Sequence, residues 1–181
     1  IGQVFVLNLV KNMSQNKINK WFRKLQLVSA AAYSLGHGTN DAQKTMGIIA
    51  VLLFSAGYLG EEFYIPVWVI LAAHTAIALG TLAGGWKVIN TMGMKITKLH
   101  PIHGFSAESS AALTLLGTAT FGIPVSTTHV IAGSIMGVGT TNRLSAVRWG
   151  LVRKIILTWM VTIPLSSVVA YLSYKFLMMI V

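Results

Sequence analysis

The stretch Gly36-His37-Gly38-Thr39-Asn40-Asp41-Ala42-Gln43-Lys44 places an acid, a base, an imidazole, an amide and two glycines between the apolar runs "LQLVSAAAYSL" and "TMGIIAVLLFSAGYL". Ionisable groups at membrane depth are costly and by default point to function. Asp41 and Lys44 are three apart, close enough on a helix to pair. Such a pair either neutralises itself structurally or, at a helix break, joins unwound backbone and free N–H groups in an ion site. A second constellation, Ser126-Thr127-Thr128-His129, follows Pro124. Three successive hydroxyls offer donors to an oxyanion, and a half-helix beginning near Ser126 aims its free N–H groups the same way. The alternative is an N-cap followed by ordinary Ser/Thr packing between membrane helices. Glu108, in "FSAESSAAL", is either an acid favourably placed at a helix N-terminus or a cation or proton ligand inside the bundle.

The remaining polar residues carry weaker signals. His74, alone on an apolar helix, reads as an interhelical hydrogen-bonder, and Gly80, Gly84 and Gly85 as small residues permitting close packing. His100 and His103 flank Pro101, but without nearby acids or thiolates they make a poor metal site. There is no phosphate-binding glycine loop, HExxH or nucleophile elbow. No nucleophile–base or metal triad can be assembled at normal spacing, so an enzyme is disfavoured and no resident metal or cofactor is expected.

The elements holding these residues must be hydrocarbon-soluble. The chain has 181 residues, 54% hydrophobic and 10% charged, against about 25% charged in a soluble domain. There is no cysteine, so disulfides and thiolate sites are excluded. A net charge of +10 would in a soluble domain suggest nucleic-acid binding, yet its distribution argues otherwise. Lys11, Lys17, Lys20, Arg23 and Lys24 form one cluster, Lys87, Lys95 and Lys98 a second, and Arg143, Arg148, Arg153 and Lys154 a third. Twelve of the 14 basic residues therefore flank apolar segments, as cytoplasmic loops do under the positive-inside rule. Glu61 and Glu62 lie in the one connection without Lys or Arg.

These flanks set the predicted spans. Residues 1–24 read as a truncated span followed by a basic cytoplasmic loop, with an interfacial amphipathic helix carrying Trp21 and Phe22. The opening at Ile1 and the apolar run after it suggest a piece of a longer protein without a signal peptide. Residues 25–59 are too long for one straight span of about 20 residues. A broken helix is predicted there, unwound near 36–40 and resuming at Asp41. Residues 66–86 return, with Pro66 at the start and Trp68 and Trp86 as interfacial anchors. Residues 105–142 have basic loops on both sides, which a re-entrant hairpin satisfies and a single span does not. Its arms, about 105–121 and 130–142, are joined by "GIPVSTTH", and irregular backbone at depth requires burial in protein or a cavity. Residues 155–178 then span outwards, with Pro164 as a kink and Lys175 snorkelling.

Taken in order, "GHGTNDAQKTMG", "GFSAESSAAL" and "GIPVSTTH" resemble the second half of an inorganic phosphate transporter of the PiT family. The resemblance covers nearly the whole chain from about residue 25. The Gln-Lys after "NDA" is similar to the bacterial low-affinity, proton-coupled branch. It implies an all-α integral membrane protein of the bacterial inner membrane, multi-pass, forming one half of an inverted-repeat carrier. It also implies that Asn40 and Asp41 lie at the phosphate and cation site; Gln43 and Lys44 are further candidate phosphate-binding residues, Lys44 by its charge, which is suited to neutralise the anion. Ser126, Thr127 and Thr128 then hydrogen-bond phosphate oxygens, and Glu108 matches the family's transport-critical acid.

The implied function is secondary transport of inorganic phosphate, free or as a metal–phosphate complex, coupled to a proton or sodium gradient through Asp41 and Glu108. Another oxyanion such as sulfate, or a non-transporting membrane scaffold, are the alternatives. The implied partners are phosphate, the coupling cation, the bilayer and the N-terminal repeat of the same carrier, with a homodimer as an open alternative. A parallel dimer cannot supply the in-plane axis of inverted repeats, so this chain alone is expected not to transport.

Overall fold

The structure is a computed structural model describing residues 2–180, the Lys87 side chain excepted. The expected truncated span is thus described only from Gly2, Ile1 lying outside the described residues. Every regular element among the described residues is helical. The chain divides into two units, Ile1–Val147 and Arg148–Val181.

The first unit contains α1 (Gly2–Val10), α2 (Gln15–Ser55), α3 (Val67–Asn90), a π-helical turn (Thr91–Lys95), α4 (Pro101–Thr120), α5 (Thr127–Asn142) and a 3-10 turn (Leu144–Ala146). Small residues let its helices approach closely. A Cβ on Gly36 of α2 would lie 3.3 Å from Leu115 Cβ of α4, so the two backbones press together there. Ala42 and Met46 of α2 pack on Val69 and Ala73 of α3 in one buried cluster. Ile18, Phe22 and Ile102 form another between α2 and α4, with Val6 and Val10 of α1 against it. There the Phe22 and Phe105 rings meet edge to face at 5.3 Å, a favoured aromatic geometry.

The turns obey local chemistry. Pro101 opens α4 at a position where its missing N–H is no loss. Gly122, with φ +68°, closes α4: Gly122 N–H donates to Ala119 O at 3.2 Å and Ile123 N–H to Thr118 O at 2.9 Å. This pattern caps the last carbonyls through a left-handed residue, a role suited to glycine. Pro124 follows and prevents continuation. Ser126 is the N-cap of α5, its Oγ accepting from His129 N–H at 3.3 Å. Residues 101–142 form a helix–turn–helix whose first arm starts at Pro101, not 105, and whose second starts at Thr127, not 130.

The expected broken helix is corrected: α2 runs as one helix of 41 residues through 36–44, roughly 60 Å at 1.5 Å per residue. Three physical reasons account for it. Glycine costs only about 1 kcal/mol inside a helix, and Gly36 is recovered as close packing. Thr39 Oγ1 donates to Leu35 O at 2.9 Å without leaving the helix. The polar residues find partners on a neighbouring element, so unwinding is not needed to satisfy them. Of residues 11–24, expected to hold a separate interfacial helix, 15–24 are the first turns of the same α2. His74 Nδ1 lies 2.8 Å from Ile70 O of its own helix, not of another. A Cβ at Gly80 or Gly84 would meet open space, so among the described residues these glycines have no packing neighbour to make room for.

The second unit contains α6 (Trp149–Ile180), helical through Pro164. Lys175 Nζ lies 5.8 Å from the Tyr171 ring centroid, a cation–π contact one turn apart. By length and composition, Val67–Trp86 and Trp149–Ile180 are each able to cross a bilayer.

Candidate functional site

The site forms where the middle of α2 meets the turn between α4 and α5. Asp41 is its hub. Thr127 Oγ1 donates to Asp41 Oδ2 at 3.0 Å, His37 Nε2 stands 3.0 Å from the same oxygen, and Lys44 Nζ lies 3.4 Å from Oδ1. Lys44 also donates to the Val125 carbonyl at 2.6 Å. One turn of α2 thus grips the hairpin tip at two points. Thr127 is buried at the N-terminus of α5, and Asn40 is buried beside Asp41. Asn40, Gln43 and Lys44 line one side of a cavity of about 210 Å³, and Gly122, Ile123 and Pro124 the other.

The three hydroxyls predicted to act together have different surroundings. Thr127 bonds Asp41, Ser126 caps α5, and Thr128 is exposed. The Ser126 cap uses an oxygen lone pair, leaving its O–H proton to donate. The amides of Thr127 and Thr128 belong to the open first turn of α5, where free N–H groups and the helix dipole favour an anion. The equivalent donors expected at Asp41 do not exist, because the amides of 36–44 lie inside a continuous helix.

Glu108 is placed elsewhere. Ser29 Oγ donates to Glu108 Oε2 at 2.6 Å, and Gln26 Nε2 lies 3.4 Å from Oε1. Ser29 precedes Asp41 by twelve positions, about 18 Å along α2. Glu108 lines a separate cavity of about 480 Å³ with Gln26 and Tyr33. Gly104 makes that arrangement achievable, since any Cβ there would run into the Gln26 side chain. Tyr33 stacks on His37 with centroids 6.0 Å apart, standing on α2 between the two acids.

Gln26, Ser29, Tyr33, Val125 and Gly104 were missed as site residues by sequence reasoning. A signal existed for three of them: positions 26, 29, 33, 37, 41 and 44 are polar at three- and four-residue steps, one face of a helix. Val125 acts through its backbone and has no such signal. At the start of α4, His100 N–H donates to His103 Nδ1 at 3.3 Å, and His103 Nε2 is 3.4 Å from Asn142 Nδ2 of α5. Burial, then the neighbouring His100, hold the His103 imidazole below the usual histidine range. No group of three or more His, Cys, Asp or Glu able to hold a metal occurs among the described residues.

The described helices make the chain all-α, with two helices long and apolar enough to cross a bilayer and charged side chains paired beside a helix–turn–helix tip. Residues 5–170 match the Phosphate transporter family, and the chain belongs to that family. It is 59% identical over 157 residues to a "Probable low-affinity inorganic phosphate transporter" of Rhizobium meliloti (strain 1021), covering 87% of this chain and 47% of that protein. It is 45% identical over 172 residues to a protein of the same description from Bacillus subtilis (strain 168), covering 95% of this chain and 52% of that one. Among solved structures it is similar to "The sodium-dependent phosphate transporter", with a TM-score of 0.72 and 31% identity over 88% of this chain and 41% of that one. The chain spans about half the length of the curated relatives it matches.

Proposed function

We propose that this chain is one half of a secondary transporter of inorganic phosphate, multi-pass in a bacterial inner membrane, completed by a second repeat of the same carrier. The observation that carries the reading is the cavity between Asn40, Gln43 and Lys44 and the hairpin tip, beside Asp41 and the open first turn of α5. Asn40 and Gln43 bring side-chain amide donors to that cavity, and the start of α5 with Ser126 to Thr128 follows directly on its Pro124 wall. Asn40, Gln43, Ser126, Thr127 and Thr128 are the proposed phosphate ligands, with Asp41 as the acid that answers to the coupling cation.

Local charge supports cation coupling. Lys44 pairs with Asp41, so this part of the site supplies no uncompensated positive charge to the anion. Moving a dianion into a negative cell is opposed by about 2.3 kcal/mol per charge per 100 mV. A cotransported cation therefore has both a driving and a neutralising role. Sodium, named in the description of the similar solved structure, and the proton are the two candidates, with Asp41 and Glu108 as the acids available to carry them. Phosphate enters either free or as a metal complex, and adding and chelating divalent metal during uptake separates these.

The deciding experiment is gradient-driven phosphate uptake by the full-length carrier with and without Asp41→Asn. Loss of uptake is expected, and undiminished uptake would remove Asp41 from the mechanism. Competition by arsenate but not sulfate is expected; equal competition by sulfate would broaden the substrate class.

A further inference from the structure

We propose that Lys44 is a positioning residue: it latches the tip of the α4–α5 hairpin to α2 and is not the countercharge of the transported anion. The tip, residues 121–126, is the non-helical part of the hairpin, and Phe121 to Pro124 are exposed. Within it, Val125 is the point tied to α2, its carbonyl accepting from Lys44 Nζ at 2.6 Å. That is a short, charge-assisted bond. Two residues on, Thr127 is tied to Asp41 of the same α2 turn, and Asp41 in turn holds the Lys44 ammonium at 3.4 Å. The two ties are therefore one device, in which the carboxylate orients the ammonium and both grip the hairpin from one side.

The geometry gives the latch a consequence for the cavity. Lys44 lines the cavity wall on α2, while Gly122 to Pro124 line the facing wall. Releasing the Val125 carbonyl frees that facing wall, because Gly122, at φ +68°, is a conformationally permissive link behind it. Two of the three N–H donors of the Lys44 ammonium are thus committed to a carboxylate and a carbonyl, and its charge is compensated by Asp41. The role requires length and charge at position 44, which arginine supplies and methionine does not.

The test uses the full-length carrier with spin labels at Leu27→Cys and Phe121→Cys, both exposed positions. These 181 residues contain no cysteine, so they add no competing site. Leu27 lies about 25 Å along α2 from Lys44, a range suited to electron–electron distance measurement. Without phosphate, Lys44→Met is expected to broaden the distance distribution and add a longer population, while Lys44→Arg keeps the wild-type distribution. In uptake, Lys44→Met is expected to fall by about 10-fold, the scale of losing one charge-assisted bond, and Lys44→Arg to restore most of it. An unchanged distribution in Lys44→Met overturns the latch. If its phosphate affinity also falls in both variants, Lys44 is instead an anion ligand. The proposal rests on the phosphate-carrier reading only in its uptake arm. Absence of uptake in the wild type would sink that reading and leave the distance measurement valid.

Discussion

At the scale of single residues, Asp41 matters because three donors from two elements converge on one carboxylate. Thr127 is the most informative of its partners, being buried and bonded through its hydroxyl alone. Hydrogen bonds to charged groups contribute about 1.5–3 kcal/mol. Thr127→Val should therefore raise the KM for phosphate uptake by about 10-fold or more, with Thr127→Ser close to wild type. Equal KM values in the two variants would reduce Thr127 to packing. Gly104 makes a different prediction. A methyl group there displaces Gln26 from Glu108, so Gly104→Ala should destabilise by about 1–3 kcal/mol, the range for overpacking. Denaturation of the detergent-solubilised carrier reads this directly.

At the scale of elements, the continuity of α2 is the finding with most consequence. Proline in a helix interior costs about 3 kcal/mol or more, whereas an unwound segment tolerates it. Gly38→Pro should thus sharply reduce the yield of folded carrier, and normal yield and melting would restore the broken helix. The entry to α4 makes a pH prediction. His103 is held below the usual histidine range, so it binds fewer protons folded than unfolded. Its contribution to stability is present above its unfolded value of about 6.5. It is lost as pH falls below that value and through the folded one. The melting temperature of the carrier should drop more steeply on acidification in wild type than in His103→Gln. Parallel curves would show that His103 does not titrate on unfolding.

At the scale of the whole molecule, much apolar surface of the described residues is exposed. Leu71, Leu79, Leu82 and Trp86 of α3 are exposed, as are Ile163, Leu172 and Phe176 of α6. A soluble protein rarely leaves such area open, and exposed apolar patches of this size mark protein–protein or membrane interaction sites. Vesicles containing only these 181 residues should show no phosphate uptake, and gradient-driven uptake by them would refute the two-repeat reading.

The sequence by itself determined the helical, membrane-embedded class, because hydropathy and basic flanks are local and additive. It also determined the hairpin turn, since Gly122, Pro124 and Ser126 each impose a backbone state through their own chemistry. Asp41, Lys44 and Thr127 were legible as polar residues too costly to be idle. The tertiary structure decided where their partners are. Whether a helix unwinds at Gly36–Lys44 depends on whether donors arrive from another element, and here Thr127 does. It also decided that Glu108 sits with Gln26 and Ser29, apart from Asp41. Those pairings span 79 to 86 residues, and no local pattern encodes contacts that only packing of α2 against α4 and α5 brings within reach.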